Sequence, residues 1–199
     1  MARIVHQAEV DGGDLLRRAR AGDGRAFEDL ARREEVGLYR HVLRIVGTPQ
    51  EAEDVVQDSL FSAWRSISAL QGGSFRAWLF RIATNRSIDL IRVRRRRGEL
   101  PLEPDEGEEV GWAEPVAPGP DPPEMASRSE AVAAVEEALR DVPAEQRAAL
   151  LLRDVEGFSY EEIALITAAE VGTVKSRIHR ARLAVRNTLV ARGWRGSAG

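Results

Sequence analysis

The 199-residue sequence predicts an all-α protein: a small N-terminal helical bundle and a small C-terminal four-helix domain, joined by a flexible acidic, proline-rich linker. Three observations point there. Apolar residues recur at helical spacing in both halves of the chain. Seven of the nine prolines fall between Pro101 and Pro123. The stretch Gly98 to Glu124 carries nine Asp or Glu residues and no Lys or Arg. Proline removes backbone donors and clustered like charges repel, so this stretch is a poor candidate for packed structure. The expected boundaries are 1–97, 98–124 and 125–199.

In the first half, Phe27, Leu30, Leu38, Val42 and Ile45 mark one amphipathic helix. Thr48-Pro49 ahead of Glu51 and Glu53 predicts the next start: a capping hydroxyl, proline in the first turn and carboxylates at the positive helix end. Val56, Leu60, Ala63, Trp64 and Ile67 then share a stripe expected to be core. Gln71-Gly72-Gly73-Ser74 breaks the pattern, and a further helix runs from about Phe75 into Arg94–Arg97.

In the second half, Pro143 opens a helix expected to reach Leu152. Ser159-Tyr160-Glu161-Glu162 fits a capping box. A brief turn at Ala168–Glu170 separates that short helix from one beginning at Val171, with Val174, Ile178, Ala181, Val185 and Leu189 as its buried stripe. Lys175, Ser176, His179, Arg180, Arg182 and Arg186 fall elsewhere on its surface. A short helix, a tight turn and a basic second helix are the outline of a helix-turn-helix whose second helix suits a DNA major groove. No period of 20 to 50 residues repeats.

The formal charge of −3 conceals strong segregation. Without the nine acidic charges of the linker the rest of the chain stands at +6. Arg81–Arg97 holds seven Arg against one Asp, and Glu170–Arg195 holds seven Lys or Arg against one Glu. Local basic patches of this kind set the field that a phosphate backbone meets.

The same composition excludes several classes. There is no cysteine, so no disulfide and no thiolate zinc site. His6, His41 and His179 are scattered and make no metal cluster. No apolar run approaches the roughly 20 residues that span a bilayer, and the N-terminus has no apolar signal core, so a cytoplasmic protein without membrane insertion is expected. Glu53, Asp54 and Asp58 could hold magnesium. No Gly-rich phosphate loop, nucleophile–base pair or His cluster accompanies them, so no catalytic residue, metal or cofactor is assigned.

Three segments carry the functional reading. In Glu53–Phe61, Asp54, Gln57, Asp58 and Phe61 lie at i, i+3, i+4 and i+7, one face of a helix. An acidic, amide-bearing face beside a core face suits docking on a basic helical partner; in isolation it reads as a solvated charged face. In Phe75–Asp89, Phe75, Trp78 and Phe80 offer stacking surfaces, and Arg76, Arg81, Arg86 and nearby Arg92 offer phosphate contacts. That combination holds single-stranded DNA, with stacking contributing about 1–3 kcal/mol per base. Leu79, Ile82 and, on balance, Trp78 read as core, and Asn85 presents an amide that can read a base edge. In the third segment, Val171–Arg177 at the start of the basic helix, Lys175, Ser176 and Arg177, with His179 and Arg180 beyond it, are the candidates to meet DNA.

In their order and spacing these segments resemble a bacterial RNA polymerase sigma factor of the extracytoplasmic-function (ECF) group of the sigma-70 family, over Asp14 to Arg192. The resemblance implies that 1–97 is sigma region 2 and 125–199 sigma region 4. It implies docking of Asp54, Gln57, Asp58 and Phe61 on the β′ coiled coil of core RNA polymerase, with the β subunit also in contact. It implies that Ser74, Arg76, Trp78, Arg81, Asn85, Arg86 and Arg92 meet the promoter's −10 element, a flipped base entering a pocket at the Gln71–Ser74 loop and Asn85. It implies that Thr173, Lys175, Ser176, Arg177, His179 and Arg180 meet the −35 element, Lys175 and Arg180 foremost. It further implies an anti-sigma partner, and a linker threading toward the polymerase active centre. Two departures stand out. Ala168 replaces the usual turn glycine, which predicts an altered turn, since alanine disfavours positive φ. Glu170 replaces serine or proline at the start of the recognition helix, which predicts weaker −35 binding. The competing reading is a stand-alone helix-turn-helix regulator that binds duplex DNA without polymerase; the first half lacks the alternating strand–helix pattern of such regulators.

Overall fold

The computed structural model describes residues 12–70, 73–100 and 125–193. All regular structure among the described residues is helical, as predicted. Most of the acidic linker, residues 101–124, and Gln71-Gly72 lie outside them. The chain divides into two compact units.

The first unit carries α1 (including residues 12–20), α2 (Gly24–Val46), α3 (Pro49–Ser66), a 3-10 turn (Ile67–Ala69) and the greater part of α4 (Phe75–Arg96). Asp23 starts α2: its Oδ1 accepts from the amides of Arg25 at 3.0 Å and Ala26 at 3.2 Å. Arg18 holds the other oxygen of the same carboxylate through Nε and Nη2, at 3.0 and 2.6 Å. Gly47 ends α2 at φ 91°, and its amide donates to the Leu43 carbonyl at 2.9 Å. That left-handed cap suits a residue without Cβ. Pro49 then begins α3 as expected. Thr48 does not cap it: its hydroxyl donates instead to Glu51 Oε2 at 2.6 Å.

Leu30, Leu38, Val42 and Ile45 are buried as the periodicity predicts. The buried face of α3 includes the expected Val56 and Ala63, and Ile67 just beyond it is buried too, but it departs from the expected stripe at Leu60 and Trp64. It runs through Ala52, Val55, Val56, Ser59 and Ala63, whereas Leu60 is half-buried and Trp64 exposed. Small side chains let α2 and α3 approach, and Ser59 is satisfied locally by donating to the Val55 carbonyl at 2.6 Å. Trp64 leans on Phe27, ring centroids 5.2 Å apart.

One polar residue sits at the centre of this unit. His41 is 1 % exposed, shares a 2.9 Å hydrogen bond through Nε2 with Thr84 Oγ1, and stands 5.3 Å from the Phe80 ring. Its Nδ1 has no hydrogen-bond partner. Burial first, then the positive charges of Arg44 and Arg76, push its pKa from 6.5 to about 3, so the folded ring is neutral.

The second unit carries α5 (Met125–Arg140), α6 (Ala144–Asp154), the greater part of α7 (Tyr160–Thr167) and α8 (Val171–Ala191). α8 packs against α6 and α5. Val142, Ala148, Leu151, Leu152 and Ile163 are buried with Val174, Ile178 and Ala181, while the expected stripe of α8 fades to half-buried at Val185 and Leu189. The capping box of α7 is complete: Ser159 Oγ accepts from the Glu162 amide at 3.1 Å, and the Ser159 amide donates to Glu162 Oε2 at 2.8 Å. The turn after α7 corrects the expectation for Ala168. It takes the left-handed conformation a glycine would take, φ 50° and ψ 42°, rather than another geometry. The amide of Ala168 donates to the Ala164 carbonyl, closing the helix against a backbone cost of about 1 kcal/mol. Arg147, unremarked in the sequence, is buried and donates through Nη1 to the carbonyls of Leu139 (3.0 Å) and Arg140 (3.3 Å), satisfying the end of α5.

The His41 environment has a measurable consequence. The unfolded imidazole takes up a proton near pH 6.5, whereas the folded one stays neutral down to about 3. Its contribution to stability is therefore whole above pH 6.5 and is lost as pH falls toward 3. Between pH 7 and pH 5 this single group should cost about 2 kcal/mol of unfolding free energy. Urea denaturation of the wild-type chain and of His41→Gln at both pH values checks it; equal pH dependence in the two chains contradicts the assignment.

Candidate nucleic-acid interface

α3 presents Asp54, Gln57, Asp58 and Phe61 outward together, all exposed, Phe61 by 60 %. The guanidinium of Arg65 lies 5.6 Å from the Phe61 ring, so this face ends in an aromatic edge beside a cation. Its other end borders a cleft of about 370 Å³ between α3 and α4, lined by Glu51, Asp54, Val55, Asp58, Arg86, Asp89 and Leu90. Four carboxylates against one guanidinium repel phosphate, so this face is suited to basic protein and not to DNA.

α4 separates the predicted −10 residues into two groups. Counting 100° per residue, Ser74, Trp78, Arg81, Asn85 and Arg92 fall on one stripe. Ser74, Arg81 and Arg92 are exposed, and Trp78 and Asn85 are half-buried. Arg76 and Arg86 lie off that stripe. Arg76 donates through Nε to Glu34 Oε2 at 3.1 Å and covers the Phe80 ring at 4.9 Å. Arg86 donates to Ser62 Oγ at 2.6 Å and pairs with Asp58 at 3.4 Å, joining one residue expected on DNA to one expected on polymerase. Each is paired with a carboxylate on another helix, and so is Arg92 on the stripe, whose Nη2 and Nε donate to Glu145 Oε1 at 2.8 and 3.0 Å. Phe75 and Phe80 are likewise buried and offer no stacking surface. Phe75 instead joins Trp78 to Phe27, at 6.2 and 5.9 Å. Trp78 remains the partly open aromatic of the segment.

Ser74 has a local role that the spacing did not suggest: its Oγ accepts from the Ala77 amide at 3.4 Å at the start of α4. Ten helical residues separate Phe75 from Asn85, about 15 Å along the axis. Ser74 and Asn85 thus stand more than two helical turns apart on the same stripe; the Gln71-Gly72 part of the expected pocket lies outside the described residues.

α8 follows the left-handed turn with Glu170 at its N-cap position, making no side-chain capping bond. Thr173, Ser176, Arg177 and Arg180 share one side of the surface turned away from Val174 and Ile178; Lys175 and His179 share the other. Thr173 is exposed and the other five are half-buried. Lys175 Nζ stands 5.5 Å from the Tyr160 ring, and the Arg153 guanidinium 4.6 Å from the same ring. Arg153 also donates to the Phe158 carbonyl at 2.9 Å. Arg182 forks onto Asp154 at 2.7 and 3.1 Å, fastening α8 to α6. The Tyr160–Lys175 contact joins residues too far apart in the chain for periodicity to reveal it.

Known proteins match both parts of the chain. Residues 30–97 match the family model for sigma-70 region 2, and residues 133–185 that for sigma-70 region 4. The RNA polymerase sigma-H factor of Pseudomonas aeruginosa is 37 % identical over 177 residues, 88 % of this chain and 92 % of that protein. The ECF RNA polymerase sigma-E factor of Haemophilus influenzae is 34 % identical, over 88 % of this chain and 93 % of that one. The chain belongs to the ECF RNA polymerase sigma factors. The region 2 match across α2 to α4 rules out a stand-alone helix-turn-helix regulator. The ECF sigma factor SigE of Mycolicibacterium smegmatis is also 37 % identical over 82 % of this chain, which spans 62 % of that longer relative. Among solved structures, this sigma factor is similar to CnrH in complex with the cytosolic domain of CnrY (TM-score 0.66, 27 % identity, 91 % of this chain and 98 % of the other). It is also similar to the sigma factor RpoE of Bartonella quintana in complex with the anti-sigma factor NepR (TM-score 0.59, 28 % identity, 82 % and 98 %). Like those named relatives it is an initiation factor and not an enzyme. Among the described residues no helix is long and apolar enough to cross a membrane, and no group of three or more His, Asp or Glu is placed to hold a metal.

Two substitutions test the division of labour. Arg76→Ala should lower stability by about 1 kcal/mol through loss of the Glu34 pair and the Phe80 contact. Arg81→Ala should leave stability within about 0.5 kcal/mol of wild type yet weaken capture of a −10 non-template oligonucleotide by the polymerase-bound sigma factor. Thermal melts and fluorescence anisotropy read the two effects, and the reverse assignment of effects would refute the partition. Glu170→Ser should tighten −35 duplex binding in a gel shift, since it adds a cap of about 1 kcal/mol and removes a negative charge near incoming phosphates; unchanged or weaker binding would refute it.

Proposed function

We propose that this sigma factor binds core RNA polymerase through the exposed α3 face, Asp54, Gln57, Asp58 and Phe61, and directs initiation at promoters carrying −10 and −35 elements. The carrying observation is that region 2 and region 4 matches fall, in that order, on two separate sets of helices. Residues 1–97 then act as the polymerase-binding and −10 domain, 98–124 as the tether and 125–199 as the −35 domain. On α4, Trp78, Arg81, Asn85 and Arg92 meet the melted strand: an aromatic, an amide and two cations on one stripe supply stacking, edge reading and phosphate attraction. On α8, Lys175 and Arg180 lead the −35 contact from opposite sides of the outward surface, with Thr173, Ser176, Arg177 and His179 beside them. The β′ coiled coil fits the α3 face because a basic helical partner complements its carboxylates.

Control by an anti-sigma protein is supported by likeness to two proteins solved with bound partners, one of them a sigma factor whose partner is named as an anti-sigma factor. The chain isolated from unstressed native cells should then elute apart from polymerase, in equal stoichiometry with a smaller protein. Elution wholly with polymerase would count against that control.

Run-off transcription with purified core polymerase on a promoter library tests the central reading: a subset of templates should be transcribed only when the chain is present. Asp54→Asn combined with Asp58→Asn should weaken core binding at least about ten-fold, as loss of two complementary charges requires. No initiation on any template by the wild-type chain would overturn the reading.

A further inference from the structure

α4 is joined to α2 by two polar ties. Glu34 pairs with Arg76 at 3.1 Å, and His41 shares its 2.9 Å hydrogen bond with Thr84. The partners ascend together, 34 with 76 and 41 with 84, so the helices run in the same direction past one another. The ties stand about two turns apart, roughly 10 to 12 Å along each axis.

On α4, Arg76, Phe80 and Thr84 occupy i, i+4 and i+8, one face of the helix. The stripe of Trp78, Arg81 and Asn85 lies roughly 130° around the axis from that face. Elsewhere on the inner surface of α4, Leu79, Ala83 and Ile88 are buried, and buried Ser87 is satisfied within the helix by donating to the Ala83 carbonyl at 2.8 Å. Apolar contact is non-directional and tolerates rotation of one helix on another. A hydrogen bond does not, because its strength falls steeply with angle and distance. Thr84 and His41 are 0 % and 1 % exposed, so neither has water as an alternative partner. His41 already carries one unpartnered nitrogen, and losing Thr84 would strand the second as well.

We infer that the buried His41–Thr84 pair, with Glu34–Arg76 as its outer companion, is a positioning device that sets the rotation of α4 and so aims the Trp78–Arg81–Asn85 stripe at the melted strand. Thr84 touches no nucleic acid. It acts through its neighbour Asn85 and the stripe that Asn85 belongs to. The inference rests on the proposed role of that stripe.

The test uses full-length chain, core polymerase and a promoter selected by the run-off screen, with 2-aminopurine in the −10 segment to report opening. Thr84→Val keeps the branched shape and removes the hydroxyl. It should slow opening at saturating holoenzyme about ten-fold, leave core affinity within two-fold, and leave the helical circular dichroism signal intact at the assay temperature. Thr84→Ser restores the hydroxyl and should restore opening, a rescue that lost packing would not produce. Glu34→Gln, on the accessible tie, should slow opening in the same direction by a smaller factor, and it decides the matter if Thr84→Val does not fold. Opening within two-fold of wild type in a folded Thr84→Val chain, or in Glu34→Gln where that chain alone folds, would overturn the inference. Failure of Thr84→Ser to rescue would do the same. Failure of the wild-type chain to open any promoter would instead strike the proposed function itself.

Discussion

A guanidinium cannot shed its charge inside a protein, so every arginine must either reach water or find an acceptor. That constraint sorts the basic residues of both units. Arg76, Arg86, Arg147 and Arg182 find carboxylates or backbone carbonyls on other elements. Each thereby becomes a fastener between helices. Arg81 reaches water and adds to the outward field. One residue type thus does two kinds of work, and the presence of an acceptor within reach decides which.

The helices were legible because their signals are local. Pro49 and the Ser159–Glu162 box are each read within one turn of the chain, and the helices begin where they stand. Faces were less legible, because packing is decided by the partner helix. On α3 the expected stripe is buried at Val56 and Ala63 but opens at its bulkiest residues, Leu60 and Trp64, while Ala52, Val55 and Ser59 complete the face that is covered. At Ala168 a side-chain preference against positive φ, a matter of about 1 kcal/mol, yields to the geometry needed to join α7 to α8.

The candidate surfaces show the same split. The outward set Asp54, Gln57, Asp58 and Phe61 follows from helical spacing alone, and so does most of the arc on α8. Arg76 and Arg86 could not be distinguished from Arg81 by type or neighbourhood, since Glu34 and Asp58 are 42 and 28 residues away. Phe75 and Phe80 look as stackable as Trp78 until the core closes over them. His41 and Thr84 were invisible as a pair for the same reason: they stand 43 positions apart in the chain. Long-range polar pairing leaves no periodic mark.

The contact between Arg86 and Asp58 has an effect on the α3 face as a whole. With one of its carboxylates already shared, the negative potential is not uniform along the helix. It is strongest near Asp54, at the amino-terminal end, and weakens toward Asp58 before giving way to the ring of Phe61. An approaching surface is met by a polarity gradient, cation-seeking at one end and greasy at the other. A partner carrying the matching sequence of charge and hydrocarbon can seat in only one direction.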